Sequence, residues 1–131
     1  MLPLIASGVR VIVSQRLVRC VCPHCREAYA PDPEEFEAIG MPYDPKASFY
    51  RGTGCPMCFN TGYRGRTGVF EILMLDRDLR SRITGGATRA ALQEAIEATG
   101  KHKSMLQGLQ RLVLEGTTTA EEARKTMTAM E

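Results

Sequence analysis

The hydrophobic residues follow a strand pattern in the first half of the chain and a helical pattern in the last third. β-Branched residues crowd positions 8–21, and a second apolar run fills 69–75 (VFEILML), so both stretches are predicted to be strands. Residues 48–51 predict a further short strand. The glycine-dense stretch 52–68 is predicted to be rich in turns.

Helices are predicted where capping residues precede apolar positions spaced three and four apart. Asp32, followed by Pro33 and two glutamates, predicts a short helix that ends at Gly40. Asp76 predicts another. Three more helices are predicted to begin at Thr88, at Ser104 and at Thr119, the last two with capping boxes completed by Gln107 and Glu122, and Gly100 and Gly116 are predicted to end the first two.

The composition is that of an ordinary globular protein of 131 residues, with 44% hydrophobic and 24% charged residues. A net charge of +2 is too small to indicate nucleic-acid binding by itself. The apolar start, residues 1–13, is short and contains Arg10, so neither a signal peptide nor a membrane helix is predicted. In the cytosol, which is then the expected compartment, clustered cysteines bind metal more often than they form disulfides.

Two C-x-x-C pairs carry the strongest chemical signal in the sequence. Cys22 and Cys25 form the first pair, and Cys55 and Cys58 form the second. Each pair is typical of a tight turn that directs two sulfurs at one ion, and two such turns complete a tetrahedron. Four thiolates without an open position favour a structural Zn²⁺.

Other uses of these cysteines remain open. The thiols could be reduced and without a ligand, they could act in redox chemistry of the thioredoxin type, or they could hold an iron–sulfur cluster. Cys20 is interpreted as a small apolar residue or a spare thiol. His24 lies within the first pair and is expected to be exposed rather than to replace a ligand.

No motif in the sequence supports catalysis by this chain, so no catalytic or cofactor-binding residue is assigned. The nearest match to a phosphate-binding loop, residues 95–102 (AIEATGKH), lacks the first Gly and the Ser or Thr. It also lies at the C-terminal end of a predicted helix, where the dipole repels phosphate. The motifs HExxH and GxSxG are both absent from the sequence.

Four segments, in order and spacing, resemble one known family. They are QRLVR at 15–19, CPHC at 22–25, GCPMCFNTGYRGRTGVFEIL at 54–73 and GTTTAEE at 116–122. The chain resembles the C-terminal, zinc-binding region of GspE/PilB-like ATPases, which drive type II secretion and type IV pilus assembly.

The resemblance implies a fold and a division of the chain. The expected class is α+β, with a small tetracysteine zinc subdomain of short strands followed by a C-terminal helical bundle. Residues 1–19 are expected to be a remnant of the RecA-like motor domain, 20–75 the zinc subdomain and 76–131 the helical subdomain. The P-loop and Walker B motif of such ATPases lie upstream of this region, so ATP and Mg²⁺ are expected only in the parent motor, and this chain is not expected to be an enzyme.

The resemblance also implies partners and a place in the cell. The expected partners are neighbouring subunits of a hexameric motor and the platform or adaptor proteins of the inner membrane, which would hold the protein in the cytoplasm, peripheral to the bacterial inner membrane. Arg64 and Arg66, on a glycine-hinged loop, suit bidentate pairing with carboxylates of such partners. They also suit a twisted ribbon whose exposed positions are basic without any function.

The residues alone allow two other functions. A nucleic-acid-binding zinc ribbon would use the cations and aromatic rings that flank the cysteines, namely Arg51, Arg64, Arg66, Tyr50, Phe59 and Tyr63. Interspersed acidic residues weaken this hypothesis, and so does the neutral net charge that results when four thiolates hold one Zn²⁺. A chaperone-type zinc module needs four cysteine repeats, and this sequence has two pairs.

Overall fold

The computed structural model describes residues 11–99 and 104–129. In chain order its elements are β1 (Val11–Val21), β2 (Arg26–Tyr29), α1 (Pro33–Ala38), β3 (Phe49–Gly52), a 3₁₀ turn (Pro56–Cys58), β4 (Tyr63–Met74), α2 (Arg77–Thr84), α3 (Arg89–Thr99), α4 (Met105–Glu115) and α5 (Ala120–Ala129). This mixture of short strands and helices confirms the predicted α+β class. The predicted strand residues 8–10 and the helix end at Gly100 lie outside the described residues.

The strands form two two-stranded sheets. β1 pairs with β4, and β2 pairs with β3 in antiparallel register, from Arg26 opposite Gly52 to Tyr29 opposite Phe49. β2, which sequence analysis did not predict, begins directly after Cys25, and β3 ends three residues before Cys55. Pairing of β2 with β3 therefore brings the two cysteine pairs together.

The prediction that residues 52–68 are rich in turns is wrong for residues 63–68. β4 already begins at Tyr63 and runs through Gly65 and Gly68. Neither glycine favours a strand by itself. β4 pairs with β1, and such a long-range contact overrides the local preference.

The described residues divide into two compact units, and β1 and β4 each contribute to both. One unit holds residues 16–69 and 105–129, and the other holds 11–15, 70–99 and 104. In the smaller unit α2 contacts α3. There the Asp76 carboxylate accepts the N–H of Leu79 at 2.8 Å and the Thr88 hydroxyl accepts the N–H of Ala91 at 3.2 Å, which confirms both predicted helix starts.

The larger unit has a hydrophobic core to which β1, α1, β3, β4, α4 and α5 contribute. The buried members of this core are Val18, Phe36, Ile39, Phe49, Val69, Met105, Leu109, Leu112, Val113, Ala120 and Ala123. The rings of Phe36 and Phe49 pack with centroids 4.8 Å apart. α1 contacts α5, and α4 contacts both β3 and α5. The two last helices therefore share a core with the β2–β3 sheet, and the two cysteine pairs lie next to the ends of this sheet.

Local caps begin α1 and end α1 and α4 as predicted. At the start of α1 the Asp32 carboxylate accepts the N–H of Glu35, and the Glu35 carboxylate accepts the N–H of Asp32, both at 3.0 Å. Gly40 and Gly116, with φ of +69° and +80°, follow α1 and α4 in the left-handed conformation. Within residues 11–99 and 104–129, no helix has the length and apolar character required to cross a lipid bilayer.

The start of α5 differs from the capping box predicted there. The Thr119 hydroxyl accepts the N–H of Glu122 at 3.0 Å, which is the first half of the box. The Glu122 carboxylate does not complete it within the described chain. Instead this carboxylate accepts three hydrogen bonds from Arg19, which come from the backbone N–H at 2.8 Å, Nη2 at 3.0 Å and Nε at 3.2 Å. Glu122 therefore ties α5 to β1.

Replacement of Glu122 by Gln is expected to lower the free energy of unfolding by about 1–2 kcal/mol, because charged hydrogen bonds to Arg19 are lost at a side chain that is only 12% exposed. The control is Glu121→Gln on the same helix, whose exposed pair with Lys125 is worth less than about 0.5 kcal/mol. Urea denaturation of both variants measures the difference, and equal losses would contradict this role of Glu122.

The same pair predicts a pH dependence. Partial burial acts to raise the pKa of Glu122, but hydrogen bonds from Arg19 outweigh burial and lower the pKa below 4.5, the ordinary value. The extra stability of the wild type over Glu122→Gln is therefore complete above pH 4.5 and declines as the pH falls through the lowered pKa. Denaturation of both proteins between pH 3 and pH 7 measures this difference, and a constant difference would contradict it.

Candidate metal centre

The first cysteine pair lies at the junction of β1 and β2. β1 ends at Val21, whose N–H donates to the carbonyl of Thr117 at 2.8 Å. Cys22 follows and is fully buried, and its N–H donates to the carbonyl of Gly62 at 2.9 Å. A turn then carries the chain through Cys25 into β2, so both flanks of this pair are anchored by backbone pairing.

The second pair encloses the 3₁₀ turn. Cys55 precedes the turn in an extended conformation, and its carbonyl accepts the N–H of Asn60 at 2.9 Å. Phe59 and Asn60 both adopt the left-handed conformation, with φ of 54° and 61°. This conformation is uncommon for Phe and more favourable for Asn. The chain reverses direction here and directs Cys55 and Cys58 to the same side.

The four sulfurs converge on one point. All four lie within 4.8 Å of one another. Sγ of Cys22 is 3.7 Å from that of Cys55, Cys25 is 3.8 Å from Cys58, and Cys55 is 3.7 Å from Cys58. Four sulfurs at about 2.3 Å from a tetrahedral Zn²⁺ stand about 3.8 Å apart. The four cysteines are therefore positioned to hold a metal ion.

Backbone N–H groups surround these sulfurs. Gly62 and Cys55 donate to Sγ of Cys58 at 3.2 and 3.3 Å, and Gly54 donates to Sγ of Cys25 at 3.3 Å. Burial acts to raise the pKa of Cys58, but the N–H groups of Gly62 and Cys55, together with the thiols of Cys55 and Cys25, outweigh burial and lower it. At Cys25 burial dominates and raises the pKa. Such N–H···S contacts stabilise thiolates, which are the form that binds metal.

A close approach of two glycines joins the second pair to the β2–β3 sheet. A Cβ built on Gly52 would collide with the backbone of Gly62, and a Cβ on Gly62 would lie 2.6 Å from the carbonyl oxygen of Gly52. Gly62 also has a φ of +81°. Glycine is therefore required at both positions, for space at Gly52 and for both space and conformation at Gly62.

The neighbouring candidates stay outside the sulfur cluster. His24 is exposed, as expected, and no histidine joins the four cysteines in the group found among the described residues. Cys20 is half-buried, and burial raises the pKa of its thiol. Both residues flank the centre without belonging to its ligand set.

Arg64 and Arg66 lie on strand β4, not on the loop expected from their glycines. Both are exposed, and neither makes an ion pair within the described part of the chain. Arg66, and not Arg64, lines one described cavity of about 240 Å³, together with Arg19, Thr61, Tyr63 and Gly65. The structure thereby distinguishes two arginines that the sequence presented as equivalent.

The aromatic residues proposed to stack on bases are largely engaged within the protein. The guanidinium of Arg26 lies 4.1 Å from the ring centroid of Tyr50, and that of Arg19 lies 4.0 Å from the centroid of Tyr63. Phe59 is the exception, with 89% of its surface exposed. Two of the three rings thus already carry a cation on one face.

Four buried or half-buried thiols at tetrahedral spacing, on two turns held by backbone contacts, define a tetracysteine metal-binding module. The profile of the family described as "Type II/IV secretion system protein" matches residues 2–125, which is most of the chain. The chain belongs to this family.

Named relatives agree with this assignment. The chain is 41% identical over 96 residues to the type II secretion system ATPase E of Vibrio cholerae, which covers 73% of the chain and 19% of the relative. It is 37% identical over 121 residues to the type II secretion system protein E of Pseudomonas aeruginosa, and this alignment covers 91% of the chain and 23% of the relative. It is 36% identical over 120 residues to the type IV pilus assembly ATPase PilB of Thermus thermophilus, and this alignment covers 90% of the chain and 13% of the relative. The chain thus spans less than a quarter of the length of each of these three relatives.

Replacement of Gly62 by Ala is expected to weaken metal binding about tenfold or more, because the new Cβ collides with Gly52 and displaces the N–H that donates to Cys58. Gly65→Ala is the matched control, since Gly65 has a φ of +83° but no described heavy atom within 4 Å of a built Cβ. The control should lose about 1–2 kcal/mol of stability from backbone strain alone and keep its metal affinity. Competition with a chromophoric chelator measures both affinities, and equal weakening would contradict the close-approach argument.

Proposed function

We propose that the chain is a zinc-stabilised structural and interaction module of a motor ATPase for type II secretion or type IV pilus assembly. The observation that carries this proposal is the sulfur cluster, which joins the end of β1, the β2–β3 sheet and the start of β4 at a single point. Membership in the secretion family supplies the context.

Zinc is the metal we propose for Cys22, Cys25, Cys55 and Cys58. The donor set consists of four thiolates, which suits Zn²⁺ among the common metal ions. Four protein ligands leave no coordination position for substrate, so the ion would act on stability and not on a reaction. It would close the segment between the two cysteine pairs, which includes residues 39–48 outside regular structure between α1 and β3.

The motor activity is proposed for the whole protein and not for this chain. Two of the relatives described above carry the word ATPase in their names. ATP and Mg²⁺ would be bound by the parent motor outside residues 1–131, whose sequence contains no phosphate-binding loop or HExxH motif. We propose no catalytic residue within the chain.

The proposed division follows the sequence intervals given above. Residues 1–19 would be the last part of a RecA-like motor domain, 20–75 the zinc subdomain and 76–131 the helical subdomain. The partners would be neighbouring subunits of a hexameric motor and platform or adaptor proteins of the inner membrane, which places the protein in the cytoplasm at the membrane surface. Arg64 and Arg66 are proposed to contact these partners, because both are exposed without an ion pair in the described chain.

The purified chain is expected to contain one zinc ion, measured by elemental analysis, and to lose its cooperative thermal transition when a strong chelator removes the ion. The β2–β3 sheet shares its core with α4 and α5, so circular dichroism should show the helices of this unit melting earlier as well. Cys58→Ser should bind no zinc, whereas Cys20→Ser, the control, should bind as the wild type does.

Three results would contradict this proposal. They are a melting curve that chelation does not change, an iron content with visible absorption in place of zinc, and equal zinc loss in the two serine variants.

A further inference from the structure

The cavity beside the metal centre has a polar and cationic lining. Its walls come from Arg19, Thr61, Tyr63, Gly65 and Arg66, and its volume is about 240 Å³. All five residues belong to the same compact unit. The cavity therefore does not depend on how the two units are arranged.

One wall of the cavity is a fixed guanidinium. Arg19 is held by two side-chain bonds to the Glu122 carboxylate and lies 4.0 Å from the ring centroid of Tyr63. The Tyr63 hydroxyl is itself bonded to the Thr119 hydroxyl at 2.8 Å. Nη1 of Arg19 is not used in these bonds. A cation held in this way loses little side-chain entropy when it binds a ligand.

Arg66 contributes a second positive charge to the lining of the cavity. The charge of Arg19 is balanced by Glu122, whereas Arg66 makes no ion pair among residues 11–99 and 104–129. The two arginines and this carboxylate together leave a net charge of about +1 at the cavity. Gly65 lies between Tyr63 and Arg66, and no described heavy atom lies within 4 Å of the position of its missing Cβ, so a ligand can approach the backbone there.

The wall is also connected to the metal centre. The Thr61 hydroxyl donates to the carbonyl of Cys58 at 2.7 Å and accepts the N–H of Tyr63 at 3.1 Å. Because the hydroxyl proton of Thr61 is already donated to Cys58, this side chain lines the cavity but does not donate a hydrogen bond to a ligand. The turn that positions Cys58 thus also positions Tyr63, on which Arg19 stacks.

We propose that this cavity binds the carboxylate of an Asp or Glu side chain from a partner protein, held between Arg19 and Arg66. A planar carboxylate matches the donor geometry of guanidinium groups. Its single negative charge balances the net charge of the cavity, whereas a phosphate dianion would leave an excess negative charge beside Glu122. The inference rests on the proposed interaction role of this module and narrows it: Arg66 and Arg19 bind the carboxylate, and Arg64, which does not line this cavity, would contact a partner elsewhere.

The test is a titration of the full 131-residue chain, followed by ¹H–¹⁵N NMR at low salt. The probe is the blocked peptide acetyl-Gly-Glu-Gly-amide, and its matched control carries Gln in place of Glu. Saturable shifts are expected at the Gly65 amide and the Arg66 Nε–H with the Glu peptide only. Arg66→Gln should weaken this binding about tenfold, because a charge-assisted contact is lost, and Arg64→Gln should leave it unchanged.

Each other outcome overturns the proposal. Equal binding of the Gln peptide, absence of saturable shifts, or equal loss in the two arginine variants would show that no carboxylate site exists. Tighter binding of inorganic phosphate, titrated separately, would show a phosphate site instead.

Metal analysis and thermal melting of the same samples separate this result from the function proposed above. A chain that holds zinc but does not select the Glu peptide overturns the carboxylate site alone. A metal-free chain that still selects the Glu peptide overturns the zinc module alone.

Discussion

The convergence of four sulfurs is the constraint on which the larger unit depends. Cys22 and Cys25 follow β1, while Cys55 and Cys58 lie between β3 and β4, and all four sulfurs lie within 4.8 Å of one another. This spacing is possible only because β2 pairs with β3 and because Gly52 and Gly62 bring their backbones into contact. The centre therefore depends on backbone geometry as much as on cysteine.

A second connection joins this region to the C-terminal helices. Arg19 and Glu122 are 103 residues apart in sequence, yet their side chains form two hydrogen bonds. Arg26 donates to the carbonyl of Glu115 at 3.2 Å at the end of α4. Together with the common hydrophobic core, these contacts hold the cysteine turns and the last two helices together in one compact unit.

Local signals in the sequence were sufficient for the cysteine pairs and for most helix boundaries. Asp32 and Asp76 cap their helices as predicted because a cap needs only the N–H groups two or three residues further along the chain. The two residues between the cysteines of each C-x-x-C pair likewise place both sulfurs on one local turn, where they can bind the same ion. The local pattern of the sequence did not reveal β2 or the first part of β4, both of which form through long-range strand pairing. β2 is too short to show a pattern, and β4 crosses glycines that suggested turns.

The sequence by itself determined which residues form the candidate metal centre, where the helices start and to which family the chain is similar. Only the tertiary structure decided that Glu122 pairs with Arg19 instead of completing a cap, and that Arg66, and not Arg64, lines the cavity beside Arg19. The reason is physical. Caps and metal-binding turns are local and depend on a few neighbouring residues, whereas ion pairs and cavities depend on which distant segments the core brings together.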